Sequence, residues 1–415
     1  MFKFKNVWLR ISVITAIFVL LFSSSEPIIY GDSSRYLEPS LRGSILYSLM
    51  IDSLTLLFRS LTAVVVLQAL LIGFAIIYFI ETISDCFDFN NVTKIIIILI
   101  LFLPIPSFYR NILTEAMTYA ITIFLVSSMI NLIYNFELRS LVKVSIFTLL
   151  LLISKKQFLF LIPVVFVTYF GIFLMNKTKS VLFLLIASFL SIISLNIAIT
   201  NFDKYIKINF VEVNTSSVSH GKGGPYYFTY IDAIYISSTN DYKLFSSPKL
   251  KQLLKKILYE MDKQESLVKH YDGRGHYGLS FNKIRFLSDN LLQNHAMQEK
   301  KAIKDLQKNI TFTLIKANPG GYIRHIFKKF YDSTWIFIFV PFLMLISSSL
   351  NFFRHKSKLS LLIIFISCHS LANHAIVYLF GRVQPRYLLN TDLILLTFLF
   401  ILTFIFLSQK EIKKS

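Results

Sequence analysis

Long, nearly unbroken apolar runs parted by short polar turns dominate the pattern along this chain. Each run holds about 15 to 22 residues, roughly the length a helix needs to cross a ~30 Å hydrocarbon layer. Ten are found, at 8–24, 60–80, 92–108, 112–134, 138–154, 157–175, 180–199, 334–352, 359–378 and 388–407. The runs 92–108 and 138–154 are short enough to be tilted or partly covered by protein. Between the seventh and eighth runs the pattern turns hydrophilic. Within it, Leu250, Leu253, Leu254, Ile257 and Leu258 recur at helical spacing. Helices are predicted from Pro248 to about Tyr271 and from about Arg285 to Ala317, with loops elsewhere. Breaks fall at Gly221, Gly223, Gly224 and Pro225 and again at 272–275. Asn318 and Pro319 read as the cap and first-turn proline of one more helix, GGYIRHIFKKFYD. Its Tyr322, Ile326, Phe327 and Phe330 are expected toward lipid, and Arg324, Lys328 and Lys329 toward headgroups.

The predicted fold is an all-α polytopic membrane protein of about ten transmembrane helices with a mainly helical extracytoplasmic insert. Three parts follow: an N-terminal transmembrane module at 1–199, the insert at 200–333 and a C-terminal transmembrane module at 334–415. Composition agrees, since 54% of the residues are hydrophobic, 41 are Phe and mean hydropathy is +0.60. Basic residues set the orientation. With the N-terminus inside, Lys3, Lys5, Arg10, Lys94, Arg139, Lys143, Lys177 and Lys179 fall on cytoplasmic segments, as do Arg354, Lys356, Lys358 and the C-terminal lysines. Both termini are then cytoplasmic, in a cell membrane expected to be a bacterial inner membrane. The first run lacks a small-residue cleavage site before Glu26 and is read as a retained span, a signal peptide being the minor alternative. Cys86, in a cytoplasmic loop, and Cys368, in the ninth span, are too differently placed for a disulfide.

Net charge is +20, and the insert alone carries 21 Lys and Arg against 12 Asp and Glu. Nucleic acid is excluded as a partner by the compartment; anionic lipid or a phosphorylated lipid-linked substrate accounts for the basicity.

Four outer-side groups carry candidate chemistry. The first is GDSSRYL at 31–37, where Asp32 precedes Arg35 and Tyr36 beside the first span. A loop carboxylate is commonly just solvated, but one on an ordered interfacial loop can serve as a general base. The second is Glu115 in RNILTEAMTYA, near the start of the fourth span, with Arg110 as a candidate partner. It is either a helix-start carboxylate favoured by the dipole or a group facing a polar cavity. Third is the turn Lys155-Lys156-Gln157, whose lysines either hold an anionic phosphate or snorkel to headgroups. Fourth is GRVQPRYLLN at 381–390, where Arg382 and Arg386 suit phosphate and Tyr387 can stack or hydrogen-bond nearby, local anchoring being the alternative. Weaker signals are the Gly-rich His220 to Pro225, the set His270, Asp272 and His276 as donors to a divalent cation, and His369, Asn373 and His374 inside the ninth span. No cofactor is called for with certainty, and a divalent cation stays open.

Taken in order, GDSSRY, LTEA, SKKQFLFLIP and PRYLLN resemble the GT-C class of integral-membrane glycosyltransferases, especially bacterial relatives of protein O-mannosyltransferase and aminoarabinose transferase. The resemblance implies transfer of a sugar from a polyprenyl-phosphate donor to a lipid, glycan or protein acceptor, with membrane lipids as surroundings. It assigns acceptor activation to Asp32, the second acidic position to Glu115, and phosphate holding to Lys155, Lys156, Arg382 and Arg386. The first loop departs from the protein mannosyltransferases in lacking an adjacent acidic pair, and the insert between the seventh and eighth runs is not matched by the resemblance. A cell-surface polysaccharide polymerase and a lipid or glycan transporter are the alternatives.

Overall fold

The structure, a computed structural model, describes residues 7–30, 33–37, 45–87, 89–210, 227–270, 276–299, 303–334, 336–380 and 385–412. Of these described residues 88% are helical, and no strand occurs among them. In chain order the helices are α1 (Val7–Ser23), α2 (Ser34–Leu37), α3 (Ile45–Phe58), α4 (Thr62–Cys86), α5 (Asn91–Phe102), α6 (Ile105–Phe108), α7 (Thr114–Asn135), α8 (Leu138–Ser154), α9 (Leu161–Asn176) and α10 (Lys179–Phe210). There follow α11 (Tyr227–Tyr235), α12 (Pro248–Lys263), α13 (His276–Glu299), α14 (Ile303–Ala317), α15 (Pro319–Thr334), α16 (Ile336–His355), α17 (Lys358–Phe380) and α18 (Pro385–Ile412). Among the described residues, seven stretches are long and apolar enough to cross a membrane: Thr62–Cys86, Asn91–Phe108, Thr114–Asn135, Lys156–Asn176, Lys179–Tyr205, Ile336–His355 and Lys358–Tyr378. Val7–Ser23, Tyr47–Phe58 and Asn390–Phe406 are apolar but shorter. The chain is a helical membrane protein on this ground.

Two compact units divide it, one of 1–212, 339–374 and 385–415, the other of 213–338 and 375–384. In the first unit α7 is the central helix. Its most apolar window is 89% buried, against 11% in α10 and 17% in α16. Helices α4 and α8 pack on α7, and α10 packs on α8. Sequence explains why α7 tolerates this position. Its buried hydroxyls return their protons to its own backbone, Thr118 to the Glu115 carbonyl, Thr122 to that of Thr118 and Ser127 to that of Ile123. Its Ala116, Ala120, Ser127 and Ser128 let neighbouring backbones come close. Elsewhere Gly171 in α9 meets α17 so closely that a Cβ there would stand 2.3 Å from Leu361 Cδ1.

Differences from the sequence expectation have local causes. The run at 92–108 is one apolar stretch in composition but two helices, interrupted at Pro104, which lacks the amide proton that would continue the ladder. Cys86 is the last residue of α4 rather than part of a loop, since ETISDC carries no helix breaker. Arg10 likewise belongs to a helix, α1, and pairs with Glu81 on α4, so the two charges neutralise each other. The run that begins at 180 does not stop near 199: α10 continues to Phe210 through a stretch free of Gly and Pro.

In the second unit α11 lies against α13 and α14, and α12 against α13. Tyr230, Ile231, Ile234 and Tyr235 of α11 join Leu254, Ile257 and Leu258 of α12 and Ile310 and Leu314 of α14 in one apolar core. Ser247 caps α12, with Pro248 in its first turn. The expected helix from Pro248 is present but ends at Lys263, and the expected helix from Arg285 to Ala317 is instead two, α13 and α14. The segment 227–235, read as loop, is helical. Its aromatic and β-branched residues are poor intrinsic helix formers that gain their stability from burial. In α15 the expected orientation is overturned for three residues: Lys329 is 5% and Ile326 7% exposed, and Tyr322 packs against the core of the unit.

Candidate functional site

The head of α7 lies where a turn, α17 and α18 converge on it. Glu115 occupies the first helical turn, where the unpaired amides of a helix N-terminus favour a carboxylate. Lys155 sits in extended backbone between α8 and a 3-10 turn, Lys156–Phe160, that leads into α9. Its Nζ donates to Glu115 Oε1 at 3.3 Å. That separation is longer than the about 2.7–2.9 Å of a tight charge-assisted bond. The two side chains keep 22% and 11% of their surface open. Lys156 beside them is exposed.

From this pair a circuit of polar contacts, joined in places only by the chain itself, runs around the bundle. Thr118 donates to the Glu115 carbonyl at 3.1 Å and accepts from Asn390 Nδ2 of α18 at 3.2 Å. Next along α18, Thr391 Oγ1 accepts from Asn373 Nδ2 of α17 at 3.0 Å, and Asn373 Oδ1 accepts from Gln157 Nε2 at 2.6 Å. Gln157 is two residues from Lys155 along the chain, so the backbone, not a hydrogen bond, joins these two ends. Every member is buried or partly buried, so inside an apolar bundle each contact spares a polar group that water would not reach.

Two further contacts flank the circuit. His374 Nδ1 meets the Ser370 carbonyl at 2.8 Å, while its Nε2 stands 3.3 Å from Asp392 Oδ1. On the side of α3 and α4, the Tyr47 hydroxyl donates to Gln68 Oε1 at 2.7 Å, and Gln68 Nε2 donates to the carbonyls of Tyr109 and Asn111. Tyr36 packs edge-on against Tyr47 with ring centroids 5.0 Å apart. The stretch just before the first loop is tied to the same region. Ile28 N donates to the Arg110 carbonyl and Ile112 N to the Ile28 carbonyl.

Of the residues singled out from sequence, the structure therefore brings together Glu115 and Lys155, while Tyr36 packs on Tyr47. Arg110 is engaged elsewhere: its Nε donates to the Glu26 carbonyl at 2.8 Å, and the lysine, not this arginine, forms the ion pair with Glu115. Asp32 and Arg382 lie outside the described residues, as do the side chains of Arg35, Arg386 and Tyr387, whose backbones belong to α2 and α18. Asn373 belongs to the polar circuit and His374 lies beside Asp392, whereas His369 is enclosed by the rings of Phe160 and Phe365. Among the described residues no three His, Cys, Asp or Glu side chains gather as metal donors. Sequence reasoning missed Gln68, Thr118, Asn390, Thr391 and Asp392. The available signal was a lone polar residue interrupting an apolar run, as at Gln68, or a short polar step such as Asn390-Thr391-Asp392. No family model, no curated protein and no solved structure matches the chain.

Proposed function

We propose that this chain is an integral-membrane glycosyltransferase that moves a sugar from a polyprenyl-phosphate donor to a hydroxyl or amine of a lipid, glycan or protein acceptor. The observation that carries the reading is the partly open Glu115–Lys155 pair at the head of α7, with exposed Lys156 next to it. A carboxylate and cations are held side by side in an apolar bundle. The four sequence motifs and their order support the class.

The chemistry suits such a set. The acceptor oxygen or nitrogen attacks the anomeric carbon while the bond from that carbon to the phosphate oxygen breaks, in one inverting displacement. The bonding pair leaves with the polyprenyl phosphate, and the acceptor proton passes to Asp32. A phosphate is already a stable anion, so the site needs cations for the developing charge more than a general acid. Lys155 and Lys156, with Arg382 and Arg386, fill that role; Glu115 orients the acceptor and holds Lys155 in place. The topology that goes with this reading has about ten spans, cytoplasmic termini in a bacterial inner membrane, and the 200–333 insert outside. Cysteine accessibility at Lys156 and at Lys356 would test it, the first reacting from outside only and the second from inside only.

The direct test is transfer of labelled sugar from polyprenyl-phosphate sugars in membranes carrying the native chain or Asp32→Asn. A product formed by the native chain and lost by a factor of about 10²–10⁴ in the variant supports the reaction and its base. Full activity of Asp32→Asn overturns the base. Absence of product with every monophosphate donor overturns the class and shifts the reading to a pyrophosphate-linked polymerase or a transporter.

A further inference from the structure

The insert contains a second group of charged side chains, and it decides which face of α15 points outward. Asp232 of α11 is wholly buried. It meets His325 Nε2 at 3.1 Å and Lys329 Nζ at 3.0 Å, both from α15. The His325 ring also packs at 5.0 Å on Tyr235. Nearby, burial and the Asp232 charge push the Tyr322 hydroxyl up to about 12. Tyr322, His325, Ile326 and Lys329 thus form the inward stripe of α15, at spacings of three and four.

With that stripe committed, the outward stripe is Gly320, Ile323, Arg324 and Phe327. It is not the polar face that a water-exposed helix presents. Ile323 keeps 56% and Phe327 69% of its surface open, with exposed Arg324 between them and half-buried Lys328 at the edge. Helix α12 in the same unit is the contrast, its exposed face being Lys255, Lys256, Tyr259 and Lys263. A single residue separates Thr334 from Ile336, where the membrane-crossing helix α16 begins. Phe327 is nine residues before that point, at most ~14 Å along a helix. Lying along the membrane surface, α15 would sink its two apolar side chains at acyl-chain depth and bring Arg324 and Lys328 to phosphate level.

We infer that the outward stripe of α15 is a lipid-binding foot: Ile323 and Phe327 insert into the bilayer crossed by α16, and Arg324 and Lys328 pair with phospholipid phosphates. Lys329 has no part in it, contrary to its position in the basic run Lys328-Lys329. The inference is independent of the transferase reading, since it concerns only how the insert is seated.

The test uses the full chain in nanodiscs of phosphatidylcholine and phosphatidylglycerol, with Trp8 and Trp335 changed to Phe and one tryptophan returned as Phe327→Trp, Ile323→Trp or Tyr259→Trp. With lipids brominated near the glycerol end of the acyl chains, the tryptophans at 327 and 323 are expected to lose most of their fluorescence and the one at 259 to keep it. Adding Arg324→Glu and Lys328→Glu should weaken the quenching at 327. Equal response at 327, 323 and 259 would overturn the foot. Quenching absent at 327 and 323 together with cross-linking between 327 cysteines of two molecules would overturn it in favour of a second copy covering the stripe.

Discussion

Two of the carboxylate–lysine pairs among the described residues stand in opposite settings. The side chains of Asp232 and Lys329 in the insert are 0% and 3% exposed, with His325 also on Asp232; those of Glu115 and Lys155 in the helical bundle are 11% and 22% exposed and 3.3 Å apart. Enclosure makes the first pair a lock. Charges stripped of water are costly, their mutual attraction roughly offsets that cost, and breaking the set leaves a stranded charge. The second pair is less enclosed, and in the proposed reading it is the one a substrate would meet. Burial, more than the residue types, distinguishes the two pairs.

The largest expected effect tests the lock. Asp232→Ala should destabilise the insert by about 3–5 kcal/mol, read as protease sensitivity within 227–334. The double change Asp232→Leu with Lys329→Met should cost less than Asp232→Ala. A double variant at least as damaged would mean that the pair contributes net stability. Next, Lys155→Met should lower sugar transfer by about 10²–10³-fold while the thermal midpoint holds. A fall in midpoint matching the loss of activity would make this pair a lock as well. Smaller still, Asn373→Ala removes the acceptor of the Gln157 bond and the donor to Thr391, and should destabilise the bundle by about 1–3 kcal/mol in denaturant titration.

The smallest effect concerns an exposed pair in the insert. Hydrogen bonds from Lys269 and then His270 hold the Asp262 carboxyl below its ordinary value. A carboxyl lowered on folding adds stability above its unfolded pKa of about 3.9 and loses it as pH falls through the folded value. Asp262→Asn should therefore slightly lower insert stability at neutral pH and make no difference well below pH 3.9. Identical acid-unfolding curves across both ranges would show that this surface cluster contributes nothing measurable.

How much of this was legible beforehand depends on the distance over which each feature is written. The apolar runs, the capped start of α12 and the apolar face Leu250 to Leu258 are local patterns, and they could be read directly. Glu115 and Lys155 stood out singly, each as a charge beside an apolar run, but the sequence-level partner for Glu115 was the nearby Arg110. The lysine that holds it is 40 positions away, and the bond from Asn390 to Thr118 spans 272. Proximity in the chain is a poor guide once helices pack side by side.

Sequence alone determined that this is a helical membrane protein, because the length and apolarity of a membrane-crossing segment are properties of consecutive residues. It also marked the charged groups worth examining. Tertiary packing alone decided which charges are locked and which stay open. Lys328 and Lys329 are neighbours of identical chemistry, yet Lys329 points into the core because Asp232 lies on the helix that α15 meets there. A carboxylate 97 positions away made that choice, through the free energy of burying one charge against another.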